Sequence, residues 1–475
     1  MNAQAKALDD LQRLGLFDRD YYEAAYLEAM RPGEGAFEHY MREGDARGFR
    51  PCARFDPIIY RIRHPEAAGQ NALLHYLGTR PAPEALTLRL RKFLQGLPAI
   101  WTGRPRPPSQ EWPNLQPYRR ASRLYPDLRI DLPAAPAEDK QTGAMATECK
   151  FTFAVNATQY CMETPNPSYF LDRIAANEPF TFARLPHGFW DSLAAVDDMT
   201  EQVEVRHAQM LTREHSRRLA IRLLKEQIPH NGVYEENVLD EVLASIPRHQ
   251  GKPGYFQAVE FKGPPTRDEQ EFETDRRDRT FQIRLSQFQR QFTGGGAFFD
   301  AALWKRWLIT GALRDLPDLC RRHPVILVGP ESLHGIQRAW KLDRFFPILI
   351  PRANTQRRRH ALLARICSDI DACARAGSAA GNAPIVLFQC GGSFAYWLAA
   401  RLFDRNPRCF LIDMGQALNA WCYDVEINTM YTWNRNYLRT IIRNNGLESY
   451  YRDVMGPGYE ELLKKFPEPS SGRGH

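Results

Sequence analysis

The sequence predicts an α/β protein: a parallel sheet flanked by helices, preceded by a small all-α repeat module. Three observations predict it. The run Pro324-Val325-Ile326-Leu327-Val328 is apolar and β-branched, closes in Gly329-Pro330, and is followed by Ser332, a helix-capping residue type. The same order recurs at Ile385-Val386-Leu387-Phe388, closed by Gly391-Gly392-Ser393. A third run, Cys409-Phe410-Leu411-Ile412, ends in Asp413-Met414-Gly415 one helix later. Strand, glycine turn and helix in repetition describe a Rossmann-like sheet, which binds its ligand beyond the carboxyl ends of the strands.

The N-terminal region carries an internal repeat. Phe17-Asp18 through Tyr22 returns as Phe55-Asp56 through Tyr60, and His39-Tyr40 returns as His75-Tyr76, at offsets of 38 and 36 residues. That is one small helical unit duplicated, with aromatics as its packing layer. Residues 1–96 are therefore expected to be a separate helical repeat module. From 97 to 148 the chain carries Pro98, Pro105, Pro107, Pro108, Pro113, Pro117, Pro126, Pro133 and Pro136. Proline at that density sustains neither helix nor central strand, so a linker or an extended arm is expected.

A further domain is expected from 149 to 455. Lys150–Val155 alternates as a strand, and Ser168 is placed to cap a helix. Phe180-Thr181-Phe182-Ala183-Arg184-Leu185 reads as a strand running through Pro186 into a helix at His187-Gly188. Residues 206–228 predict a basic amphipathic helix whose arginines form a solvated face. Residues 262–290 read as a surface excursion. Gly294-Gly295-Gly296 reads as a turn or lid leading into a helix from Ala301 to about Leu319. Phe345–Ile350 reads as a strand, followed by a helix capped by Asn354 or Thr355 that contains Arg357, Arg358, Arg359 and Arg365. Residues 456–475 read as a C-terminal tail.

Composition narrows the function. The chain's 475 residues suffice for two or three domains at roughly 100–200 residues each. It has 63 basic and 56 acidic side chains, a net charge of +7. That is a mildly basic globular protein rather than a polycation, compatible with phosphate-bearing ligands or an anionic membrane face, and nucleic acid is not an expected partner. Nine cysteines without a CxxC pair are expected to be reduced. No apolar run approaches the roughly 20 residues of a membrane span, and the N-terminus has no apolar signal core, so a cytoplasmic location is expected. No GxGxxG follows a strand, which counts against a dinucleotide oxidoreductase.

Two loops offer backbone N–H groups at a helix start, the arrangement that binds anions: Gly329 to Ser332 and Gly391 to Ser393. Equally, their glycines serve as tight strand-to-helix turns. Asp413, at a strand end beside glycine, has the chemistry to hold a ribose or sugar hydroxyl or a metal.

Residues from about 149 to 425 resemble the GT-D superfamily of bacterial glycosyltransferases. In its Arg-x-Gly-Asp-Gly-Glu-Trp-like signature, Arg184, Gly188 and Trp190 fall in place. Gly329-Pro330, Gly391-Gly392 and Asp413-Met414-Gly415 come after it in the family's order. The N-terminal units are similar to the Phe-Asp-x-x-x-Tyr and His-Tyr-x-x-x-Gly repeats of bacterial polysaccharide-synthesis proteins. Phe17, Asp18, Tyr22, His39, Tyr40 and Gly44 carry that likeness.

The resemblance implies transfer of a sugar from a nucleotide-diphospho sugar to a cell-envelope or capsular glycan. It also implies peripheral association with inner-membrane assembly proteins. In that scheme Gly329, Pro330, Ser332, Gly391, Gly392 and Ser393 cradle the diphosphate, Arg184 and Gly188 bind substrate, and His187, Asp191 and Asp413 are catalytic. An imidazole, with its reference pKa of about 6.5, suits the role of base. The family's Asp-x-Glu is His187 and Phe189 here, so no cofactor is firmly implied and a divalent metal is disfavoured. The alternative is a non-catalytic nucleotide- or sugar-binding scaffold. A third is an unrelated Rossmann-like enzyme.

Overall fold

The computed structural model describes residues 11–12, 14–79, 130–131, 149–207, 211–228, 231–261, 279–351, 355–376, 381–421 and 432–465. These fall into two compact units. One draws on Met1–Leu124, Ser192–Glu241 and Gln356–Arg358, the other on Tyr125–Asp191, Val242–Thr355 and Arg359–His475. The proline-rich segment, apart from residues 130–131, lies outside the described residues, as do residues 262–278 of the expected 262–290 excursion and residues 466–475 of the expected tail. The rest of both corrects the expectation: Arg279–Gln291 is a helix that buries Phe281, Leu285 and Phe288, and Gly458–Lys465 is a helix that buries Tyr459 and Leu462, because each carries apolar residues at helical spacing. No helix among the described residues is long and apolar enough to cross a membrane.

In the first unit each repeat places its motif in the same way. Asp18 caps helix α1 (Arg19–Tyr26), its Oδ1 accepting from Tyr21 N at 2.9 Å. Asp56 caps α3 (Pro57–Arg63) through Ile58 N and Ile59 N. A side-chain oxygen there satisfies amides that the first helical turn leaves unbonded. Helices α2 (Ala36–His39) and α4 (Ala72–Gly78) bring the histidines back onto the tyrosines. Tyr22 Oη lies 2.8 Å from His39 Nδ1, and Tyr60 Oη lies 2.9 Å from His75 Nδ1. A Cβ on Gly44 would overlap the Tyr22 hydroxyl, which explains glycine at that place in the motif. The aromatics are indeed the packing layer between helices.

The repeat also shares its unit with a later helix. The basic helix expected over 206–228 begins at Arg213, as α7 (Arg213–Gln227), because α6 (His187–His207) precedes it. Its arginines do not form a solvated face. Arg218 and Arg222 are buried, Arg218 stacked over Phe49 and Arg222 bonded to Asp56. Helical periodicity located the helix, but the charge on its inner side is neutralised by Glu214, Glu236 and Asp240 nearby and by Asp56, 166 positions away.

Among the described residues the second unit is built on one ten-stranded sheet in the order β1-β2-β3-β6-β5-β4-β10-β9-β7-β8. Strands β1 (Ile130–Asp131) and β2 (Cys149–Val155) join antiparallel at one edge. The rest run parallel: β3 (Thr158–Thr164), β4 (Thr181–Leu185), β5 (Tyr255–Val259), β6 (Gly296–Asp300), β7 (Val325–Gly329), β8 (Phe345–Leu349), β9 (Ile385–Phe388) and β10 (Phe410–Asp413). Every residue of β4, β7, β9 and β10 is buried, as expected for parallel strands covered on both faces. The predicted α/β, Rossmann-like class is the observed one.

The glycine run meets its expectation only in part: Thr293-Gly294 do form a turn, Gly295 N donating to Phe292 O at 3.1 Å. Gly296 opens β6 rather than a lid, and the chain then forms two short helices, α10 (Leu303–Thr310) and α11 (Leu316–Cys320), not one. Gly311 ends α10 with φ of 84°. A Cβ on Gly295 would overlap the Gln159 carbonyl of the neighbouring chain run, so the glycines serve strand approach.

The chain leaves β4 towards β5 and β6 on one side, while β7 to β10 fill the other. The strand order therefore switches between β4 and β10. In an open parallel sheet the ligand crevice lies outside the carboxyl ends of the strands at such a point.

Candidate functional site

The switch point brings together two residues that the sequence singled out. Arg184 sits near the end of β4 and Asp413 ends β10. Arg184 Nε lies 3.2 Å from Asp413 Oδ2, with side chains 6% and 1% exposed. Arg184 Nη1 donates to Ala301 O at 2.9 Å, and Asp413 Oδ1 accepts from Gly415 N at 2.9 Å. Gly415 has φ of 51°, and a Cβ there would overlap the Arg184 guanidinium. Burial pushes the Asp413 carboxyl above its usual range, against the opposing pull of Arg184.

His187 begins α6 directly after the β4 turn. Its Nδ1 lies 3.6 Å from Glu260 Oε2, an ion-pairing distance too long for a hydrogen bond. The His187 side chain is 40% exposed, while that of Glu260 is 3% exposed. Glu260 comes directly after β5 and extends its ladder, its amide donating to Leu185 O at 3.2 Å. Burial would raise the Glu260 carboxyl, but contact with His187 and the charges of Lys305 and Arg184 outweigh it and hold it at about 2. Lys305, on the first turn of α10, is itself buried. Burial lowers its amine, opposed by Glu260. Beside it, Asp300 at the end of β6 pairs with Arg306 and accepts from Ala302 N at 2.7 Å.

Glu260, Asp300, Lys305 and Arg306 were not read from the sequence. A signal existed for the two acids. Each closes an apolar run, Ala258-Val259-Glu260 and Phe298-Phe299-Asp300, as Asp413 closes Leu411-Ile412.

The two glycine loops leave adjacent strands, since β7 pairs with β9 in parallel with Val328 opposite Phe388. The helices they lead into differ. Gly391, with φ of 88°, caps the N-terminus of α14 (Gly392–Arg405), a helix of 14 residues with no acid in its first turn and no capping side chain. Ser393 lies in that turn, half-buried. Its free amides and dipole make it the better anion site. After Gly329, Pro330 leads into a five-residue 3₁₀ turn, Glu331–Gly335, and then the short α12 (Ile336–Trp340). The expected helix start is absent there, because Gly335 and the 3₁₀ turn interrupt it. Ser332 Oγ is buried and makes no hydrogen bond among the described residues.

Asp191 is placed differently from His187. Both its oxygens are engaged by Arg284 of α9 (Arg279–Gln291), at 2.8 Å each. Phe189 and Trp190 are core residues, 1% and 0% exposed. Among the described residues, no group of three or more His, Cys, Asp or Glu side chains is arranged to hold a metal ion.

Gly392 and Gly188 separate packing from permissiveness. A Cβ on Gly392 would overlap Pro186 Cγ and lie 2.6 Å from its Cδ, whereas one on Gly188 meets nothing within 4 Å. The α14 N-terminus thus rests on the turn that carries His187. Gly392→Ala is expected to destabilise by about 1–3 kcal/mol, the usual cost of overpacking. Gly188→Ala is expected to change stability by less than about 0.5 kcal/mol. Equal urea midpoints for the two variants would refute this packing.

With this geometry in place, comparison with known proteins adds no relative: no family model, curated protein or solved structure matches the chain.

Proposed function

We propose that the chain is a glycosyltransferase, moving a sugar from a nucleotide-diphospho sugar to a cell-envelope or capsular glycan. The observation that carries the reading is the buried Arg184–Asp413 pair at the β4/β10 switch point, next to the half-exposed His187. The resemblance of Arg184, Gly188, Trp190, Gly329-Pro330, Gly391-Gly392 and Asp413-Met414-Gly415 to the GT-D pattern supports it from the sequence side.

In this reading the α14 amides hold the diphosphate. Arg184 is 5% exposed and locked to Asp413, so it acts by its field beneath the site. Asp413 keeps that guanidinium oriented. The acceptor hydroxyl oxygen bonds to the anomeric carbon and its proton passes to His187. The bond from that carbon to the diphosphate oxygen breaks, and the nucleoside diphosphate leaves with the electron pair. Preorganised amides and cations balance its charge.

A non-catalytic binding scaffold is the second reading. Its support is the turn itself, where Phe189 is in the core and Asp191 is held by Arg284. A panel of nucleotide sugars, tested for thermal stabilisation and for hydrolysis, separates the two. Binding with turnover supports the transferase, binding without turnover the scaffold, and no binding refutes both.

The same turn predicts metal independence. Donor turnover is expected to be unchanged in excess EDTA and after added magnesium or manganese. Abolition by EDTA with rescue by either metal would overturn it.

A further inference from the structure

Glu260 is a charged group enclosed without a hydrogen-bond donor for one of its oxygens. The residue is 4% exposed, and Oε1 has no hydrogen-bond partner among the described residues. Its other oxygen lies 3.6 Å from His187 Nδ1, which also makes no hydrogen bond among the described residues. Buried polar atoms are normally satisfied, and an unsatisfied one calls for a missing partner. Charge chooses among partners. The charges of Lys305 and Arg184 already act on Glu260, so a further cation would meet two neighbouring positive charges. A neutral donor fits, and a hydroxyl is the neutral donor that a carboxylate binds best.

We infer that Glu260, with His187 at its entrance, is a sugar-hydroxyl subsite at the carboxyl end of β5. This rests on the transferase reading for the identity of the whole ligand, but not for the hydroxyl itself. A sugar hydroxyl donates to Glu260 Oε1, reaching it past the half-exposed His187 ring, which has no hydrogen bond to Glu260 to lose. Glu260 binds and does not act as the base. A carboxylate held at about 2 takes a proton poorly near neutral pH, because the best general bases match the working pH. The proton therefore goes to His187.

The test uses the full chain and two sets of probes, measured by calorimetry and by saturation-transfer NMR. One set is UDP-glucose, UDP-galactose, UDP-N-acetylglucosamine and GDP-mannose. The other is the free sugars, with UDP and GDP as controls. Glu260→Gln is expected to weaken binding of the preferred nucleotide sugar about tenfold or more while leaving the nucleoside diphosphate unchanged. Equal loss for both, or no loss, overturns the subsite. Free-sugar binding that is lost in E260Q, without nucleotide-sugar binding, keeps the subsite and overturns the donor reading. No binding of any sugar, free or linked, overturns both.

Folding of the variant is checked by thermal unfolding across pH. The folded-state carboxyl lies below its unfolded value, so its stabilisation is present above about pH 4.5 and is lost as pH falls towards about 2. The gap between wild type and E260Q should close over that window. Glu260→Asp, which keeps the charge, serves as the second variant and should retain more affinity than E260Q. An E260D loss equal to that of E260Q overturns the role of the charge.

Discussion

Arg184→Ala is expected to cost the sheet unit about 3–5 kcal/mol, the loss seen when one partner of a buried ion pair is removed. The cost comes from Asp413. Its side chain is 1% exposed, and without the guanidinium its hydrogen-bond donor among the described residues is the Gly415 amide. The Ala301 carbonyl would lose its donor as well. Replacing both members by apolar residues, as in R184M/D413L, is expected to recover most of the stability, because no isolated charge remains. Urea unfolding reads both variants. An R184A midpoint equal to wild type would mean that the pair does not hold the switch point. At a temperature where R184A is still folded, donor turnover is expected to fall by about 10²–10³, as for loss of one preorganised charge-stabilising group.

Arg222→Ala is expected to cost the repeat-bearing unit a similar amount, about 3–5 kcal/mol. Arg222 donates to Asp56 Oδ2 at 2.8 Å, Glu236 Oε1 at 2.8 Å and Gly48 O at 2.7 Å. Its removal takes the nearest cation from two carboxylates, leaving Asp56 with its capping amides and Glu236 with the Tyr26 hydroxyl and Arg50 at 3.9 Å. Removing residues 1–96 would take Asp56, Gly48 and Phe49 from α7, so that truncation is expected to loosen 212–241 rather than excise an indifferent module. The effect also depends on pH. Burial would raise the Glu236 carboxyl, but Arg222 and Arg50 outweigh it and hold it at about 2. Its stabilisation is therefore present above about pH 4.5 and fades as pH falls towards about 2. Thermal melts of wild type and R222A should differ most near neutral pH and converge in acid. A constant gap would show that the carboxylate does not depend on Arg222.

Much of the fold was legible in one dimension, and the misses have physical causes. β7, β9 and β10 are apolar runs closed by Gly329-Pro330, Gly391-Gly392 and Asp413-Met414-Gly415, and a run of buried strand residues closed by a turn is a local signal. The repeat was legible for the same reason, since Asp18 and Asp56 cap helices through amides two or three residues away. β6 was missed because the glycines read only as a turn before a helix, whereas the turn ends at Gly294, Gly295 makes the close approach to the Gln159 carbonyl and Gly296 opens a strand.

What the sequence by itself determined is the class of the fold, several of its strands and turns, and the residue types at strand ends. Those come from short-range periodicity, capping and backbone conformation. Which charges meet was decided only by the tertiary structure. Arg184 finds Asp413 because β4 lies beside β10, and Glu260 lies beside His187 because β5 flanks β4. Strand order brings these residues together across long stretches of chain. Burial then makes each charge depend on its neighbour, an energy that no local pattern records.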